Sequence, residues 1–198
     1  MAMGIEITAI DVRIEKFSLP AMAGAAAFLQ RTGPLNMPLL SLYGLPVVGG
    51  ALAAYNILVE MPGTVTMTDT NTMVQNVIDR LEFFRRFNKN RKMSRLNILD
   101  HGNPKQMEIG SDCIDEKNID SFSKILGLLK GKFDQSGFVH LQNCEIGNNE
   151  KLLAAFARII NVPVYAGTGS HNSVLRLNTG DYVRANPDGS ISRNVARP

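Results

Sequence analysis

Two stretches decide how this chain folds: Leu96-Asn97-Ile98-Leu99-Asp100-His101-Gly102 and Phe138-Val139-His140-Leu141-Gln142-Asn143-Cys144. Each is a short, mostly apolar run that ends abruptly in polar residues, as a strand in the middle of a sheet does. Between them Ile119, Phe122, Ile125, Leu126 and Leu129 recur at helical spacing, which predicts a helix over Asn118–Phe133. A strand, a helix and a second strand form a crossover unit, which sets two parallel strands in one sheet.

The same rhythm extends outward. Tyr55–Glu60 reads as a strand ended by Pro62-Gly63. Thr70 or Asn71 is a candidate cap for a helix through about Phe87, with Met73, Val77, Leu81 and Phe84 on one face. Gln106–Ile109 suggests a further strand, Asn148–Ile160 a helix and Val162–Tyr165 a strand. The turns Asn178-Thr179-Gly180-Asp181 and Pro187-Asp188-Gly189 punctuate a hairpin-like tail. Near the start, Ile5, Ile7, Ile10, Val12 and Ile14 suggest one or two strands, whereas 20–50 is small, apolar and rich in Gly and Pro. The expected architecture is α/β, with a mainly parallel sheet of strands at 55–60, 96–100, 138–143 and 162–166 and helices on both faces. Residues 55–198 would form this domain and 1–54 an accessory segment packed on it.

Composition sets the outer bounds. Of 198 residues, 44% are hydrophobic and 20% charged, which excludes a disordered or collagen-like chain. The net charge of +3 comes from scattered Lys and Arg, apart from Arg85, Arg86, Lys89, Arg91 and Lys92. That cluster reads as a solvated helix end, so no nucleic-acid partner is expected. Cys113 and Cys144 are too few for a disulfide framework or a cysteine-built zinc site. A reduced thiol, no classical signal peptide and an apolar stretch at 35–59 broken by Pro and Gly suggest a cytoplasmic protein. Secretion by another route fits equally, and no membrane span is expected. The oligomeric state stays open.

Ligands of open parallel sheets bind beyond the carboxyl ends of the strands. There the sequence puts His101 and Cys144, 43 residues apart, at the ends of strands that one crossover unit brings together. A thiol ahead of a helix start is favoured as thiolate, and an imidazole beside it can take the proton and later return it. Gly102 removes a side chain where a substrate carbonyl must approach, and its N–H with that of Cys144 would form an oxyanion hole.

Each residue also has a plainer reading. Cys144 alone fits a buried small hydrophobe, and His101 alone a turn residue before Gly. Cys113 fits a structural or exposed thiol, and His140 a satisfied histidine on the sheet face. His171, in Gly167-Thr168-Gly169-Ser170-His171-Asn172, follows the strand after Cys144 and should lie beside the cleft. His101, His171 and Cys144 lack the local spacing of zinc ligands, so no metal is expected.

With those residues in view, 96–102 and 138–147 resemble the two catalytic strands of caspase-like, or caspase-hemoglobinase fold, cysteine peptidases. In that family an apolar strand ends in His-Gly and a later one in the nucleophilic Cys; Gln142-Asn143-Cys144 is similar to the caspase Gln-Ala-Cys. Glu145-Ile146-Gly147 departs from the family's Arg-Gly or Gln-Gly continuation. The likeness is greater to caspase-like domains of bacterial surface and secreted toxin-like proteins, and covers 55–172. It implies a caspase-like three-layer sandwich and a cysteine endopeptidase with His101 as base and Cys144 as nucleophile. It also implies a protein or peptide substrate and no cofactor. The loop after the fifth strand, with Gly169, Ser170 and His171, would wall the first substrate pocket. Asp100 and Glu145 would make that pocket prefer a basic residue, unless Arg176 swings in to select an acidic one. The competing readings are a non-catalytic interaction module of the same fold and an effector acting on the cell wall.

Overall fold

The computed structural model describes residues 4–11, 63–172 and 177–198. Among them a seven-stranded sheet has the order β11-β10-β7-β6-β3-β1-β2. Its strands are β1 (Ile5–Asp11), β2 (Thr64–Met67), β3 (Met93–Leu99), β6 (Phe133–Leu141), β7 (Val164–Gly167), β10 (Tyr182–Ala185) and β11 (Ile191–Val195). The run β2-β1-β3-β6-β7 is parallel throughout, and the β10-β11 hairpin completes it antiparallel against β7. A small hairpin, β4 (Gln106–Ile109) with β5 (Asp112–Asp115), follows β3; β8 (His171–Asn172) and β9 (Leu177–Asn178) pair after β7.

One sheet face is apolar because alternate residues of each strand point to it. Ile7 and Ala9, Leu96 and Ile98, Val139 and Leu141, and Val164 and Ala166 all join a single core. Helix α1 (Thr70–Arg85) covers it with Met73, Val77 and Leu81, and helix α3 (Glu150–Ile160) with Leu152, Leu153 and Phe156. The opposite face carries Thr8, Asn97, His140 and Gln142, all buried, and a small apolar pair, Ile10 and Leu99. The described helices contact one another and this one core, so they form a layer on one face. A second helical layer is not found among the described residues.

Several expectations change in detail. Asp69, not Thr70 or Asn71, caps α1: its carboxylate accepts the Thr72 N–H at 2.7 Å, and Thr72 Oγ1 in turn accepts the Asp69 N–H. A carboxylate outcompetes a neighbouring hydroxyl for unpaired amides at a helix start. The expected helix over 118–133 is a broken rod: a 3₁₀ turn Ile119–Phe122, one α turn α2 (Ser123–Leu126) and a 3₁₀ turn Gly127–Leu129. Gly127 supports a helix poorly, and Gly131, at φ 72°, turns the chain into β6 at Phe133. Ile119, Leu126 and Leu129 are still buried, because spacings of three and four fit a 3₁₀–α chain as well as a helix.

The accessory segment is also corrected in part. Residues 5–11 form β1, inside the sheet between β3 and β2. The rest of 12–62, including the expected strand at 55–60 and the apolar stretch at 35–59, lies outside the described residues. Among those described, no helix is long and apolar enough to cross a membrane.

Candidate active site

Parallel pairing of β3 with β6 runs Leu96 against Val139, Asn97 against His140 and Ile98 against Leu141. Past the last pair the two chain segments stay side by side: the Gln142 N–H donates to the Ile98 carbonyl at 2.8 Å, and Asn143 Nδ2 donates to the His101 carbonyl at 2.6 Å. Gly102 lies so near the end of β6 that an added Cβ would meet Asn143 Cβ at 2.8 Å and the Cys144 carbonyl oxygen at 3.3 Å. Only a residue without a side chain allows that approach. The N–H groups of Gly102 and Cys144 make no hydrogen bond among the described residues.

His101 is exposed, and its main chain is held from both sides. Its N–H donates to Asp100 Oδ1 at 2.7 Å, and its carbonyl accepts from Asn143 Nδ2 at 2.6 Å and from the Glu108 N–H at 3.0 Å. The imidazole makes no hydrogen bond among the described residues. Cys144 is half-buried, and its Sγ accepts the His171 N–H at 3.3 Å. The thiol also faces the His171 carbonyl at 3.8 Å.

Beyond Cys144 the chain turns sharply. Glu145 adopts φ 57°, its N–H donates to the Gly169 carbonyl at 2.8 Å, and a 3₁₀ turn (Ile146–Asn148) leads to α3. Gly169 is clamped by Asn178, whose amide accepts its N–H at 2.9 Å and donates to its carbonyl at 2.7 Å. Ser170 is exposed, with its carbonyl accepting the Thr179 N–H at 3.0 Å. Glu145, Gly169, Ser170 and His171 therefore stand around Cys144 as one linked loop system. The His171 ring lies edge-on to His140, with centroids 6.3 Å apart. His140 is fully buried on the sheet face, its Nδ1 met by Arg95 Nη2 at 2.8 Å and Gln142 Nε2 at 3.3 Å.

Asp100 does not fit the pocket role that the sequence suggests. It is 5% exposed and turned inward, with Oδ2 accepting the Gly110 N–H at 2.6 Å while Oδ1 holds the His101 N–H. Burial, with the adjacent Asp11 carboxyl, pushes it up to about 7 against the pull of the two N–H bonds. It holds both ends of the 101–110 loop instead of facing a substrate. Arg184 is engaged too, with Asn186 Oδ1 at 2.8 Å and stacked over Tyr165; Arg176 lies outside the described residues. Cys113 sits exposed on β5, paired with Glu108. A groove of about 470 Å³ lined by Val65, Asn76, Arg80 and Phe83 lies by the edge strand β2, away from these strand ends.

Two contributors escape the sequence reading: Asn143, which ties the His101 loop to the end of β6, and Asn178, which clamps Gly169. Asn143 stood beside Cys144 in plain view, but only pairing shows which carbonyls its amide meets. A family model described as a domain of unknown function, DUF4347, matches residues 47–174, a span that includes both strand ends. No curated protein matches the chain.

Proposed function

The chain belongs to the DUF4347 family, a domain of unknown function, and we propose that it is a cysteine endopeptidase of caspase-like type. The observation that carries this reading is the parallel pairing of β3 and β6, with Gly102 close against Asn143 and the Cys144 carbonyl where the two strands end.

His101 accepts the proton of the Cys144 thiol, and the sulfur lone pair attacks the scissile carbonyl carbon. The carbonyl π electrons move to oxygen, where the N–H groups of Gly102 and Cys144 receive the negative charge. Collapse of the tetrahedral adduct breaks the C–N bond, and the imidazolium returns its proton to the leaving amine, giving a thioester. Water, deprotonated by His101, attacks the thioester carbonyl carbon; the C–S bond breaks to give the carboxylic acid, which ionises to solvent, and leaves the thiolate–imidazolium pair. Each well-aimed oxyanion donor is worth about 3 kcal/mol in the transition state. No step requires a metal or an organic cofactor.

The substrate is a protein or peptide lying across the sheet end, with the Gly169–His171 loop on one side. With Asp100 turned inward, Glu145 is the remaining carboxylate of the two first assigned to that pocket. A non-catalytic module of the same fold is the competing reading, and the contact between the Cys144 thiol and the His171 carbonyl favours it. Half-exposure of Cys144 favours chemistry. A peptide-library cleavage screen separates the two. Cleavage that is lost in both Cys144→Ala and His101→Ala is expected; cleavage that survives Cys144→Ala would overturn the proposal.

A further inference from the structure

We infer that Asn143 is a positioning residue that holds His101 in reach of Cys144; this rests on the dyad reading and deepens it. Asn143 is the residue before the nucleophile, 1% exposed, and its Nδ2 donates to two carbonyls of another segment. One is that of His101 at 2.6 Å and the other that of Glu108 at 3.0 Å. A single side chain thus ties the nucleophile's strand to the peptide that carries the base. On the other side of the same residue, the Asp100 carboxylate takes the His101 N–H, so the His101 backbone is clamped between the ends of β3 and β6.

The amide's orientation follows from these partners. Flipped, Oδ1 would face two carbonyl oxygens, so the nitrogen points to them and Oδ1 is left buried without a hydrogen bond. A buried acceptor without a partner opposes folding. An apolar residue at 143 would leave no such orphan on β6, although it would strand the two carbonyls. Placing the His101 peptide is a role that accounts for an asparagine here. A second asparagine supports the same loop from farther away: Asn149, the cap of α3, donates to the Lys105 carbonyl at 3.3 Å.

The chemistry sets the consequence. A shift of about 1 Å in a reacting group can cost on the order of a hundredfold in rate. Asn143 side-chain atoms touch no reacting atom, so the loss of its amide should act by displacing the His101 segment.

The test uses Cys144 alkylation by iodoacetamide across pH, with Cys113→Ser removing the second thiol. The variants are His101→Ala, Asn143→Ala and the isosteric Asn143→Asp, which turns an oxygen toward both carbonyls; folding is checked by circular dichroism. The expected result is that His101→Ala changes the pH profile and slows alkylation at pH 7 about tenfold. Both Asn143 variants should change the profile in the same direction, and neither should add to the effect of His101→Ala. A purely structural Asn143 would lower the melting temperature and leave the profile of any folded variant unchanged, which overturns the inference while the dyad stands. If His101→Ala itself leaves the profile unchanged, the dyad reading falls and the inference falls with it. Loss of folding in both Asn143 variants, with His101→Ala folded, would show a structural residue and also count against the inference.

Discussion

Asp100 and His101 are chain neighbours with opposite fates: one is buried beside Asp11 and the other exposed. This divergence was not legible in the sequence, where a carboxylate beside a histidine reads as part of a pocket. Burial was the missing information, because it depends on β1 bringing Asp11 alongside. The pairing has a consequence for stability. Asp100 is raised from 3.8 to about 7 by burial and by Asp11, so the folded state binds its proton more tightly than the unfolded chain. Its protonation therefore stabilises the fold fully below about pH 4, and that contribution is lost as pH rises toward and past 7. Asp69, lowered mainly by the Thr72 N–H, and Asp188, lowered by Ser190, act in the opposite sense, and their effect is spent below the same range. Denaturant unfolding should thus show stability falling by roughly 2–4 kcal/mol between pH 5 and 8. Asp11→Asn should flatten the fall, and a wild-type stability that rises over this interval would contradict the assignment.

β1 shows what a strand reading can give and what it cannot. Isoleucines at 5, 7 and 10, imperfectly alternating, marked a strand, yet nothing local said that it would lie inside the sheet. Its partners are β2 and β3, distant in sequence, and register with them is set by tertiary packing. The segment 119–129 errs the other way: the apolar spacing named the buried residues, whereas Gly127 and Gly131 decided that no continuous helix forms. If β1 is part of the core, removing its buried side chain must cost as much as in any central strand. Ile7, fully buried in the main core, is the position to change. Ile7→Ala should destabilise by about 2–5 kcal/mol in urea unfolding. A loss below about 0.5 kcal/mol would mean that β1 is peripheral after all.

For the molecule as a whole, a parallel sheet concentrates chemistry at one end, and the alternation of strands and helices made that end legible before any coordinates. The ends of β3 and β6 were identified by where apolar runs stop, and their pairing follows from one crossover between them. Less legible was the support around them: the Asn143 and Asn178 amides, and the His171 backbone on the Cys144 sulfur. These are contacts between segments far apart in the chain, with no local pattern to announce them. The two cysteines offer a direct comparison, since Cys113 is exposed and Cys144 only partly so. A general reagent should favour the exposed thiol; a peptide-like electrophile that uses a catalytic site should not. The decisive measurement is mass-spectrometric mapping of the cysteine modified by a thiol-directed peptidyl probe. The account predicts modification of Cys144, reduced at least about tenfold in His101→Ala and unchanged in Cys113→Ala. Modification of Cys113 alone, with Cys144 untouched, would contradict it.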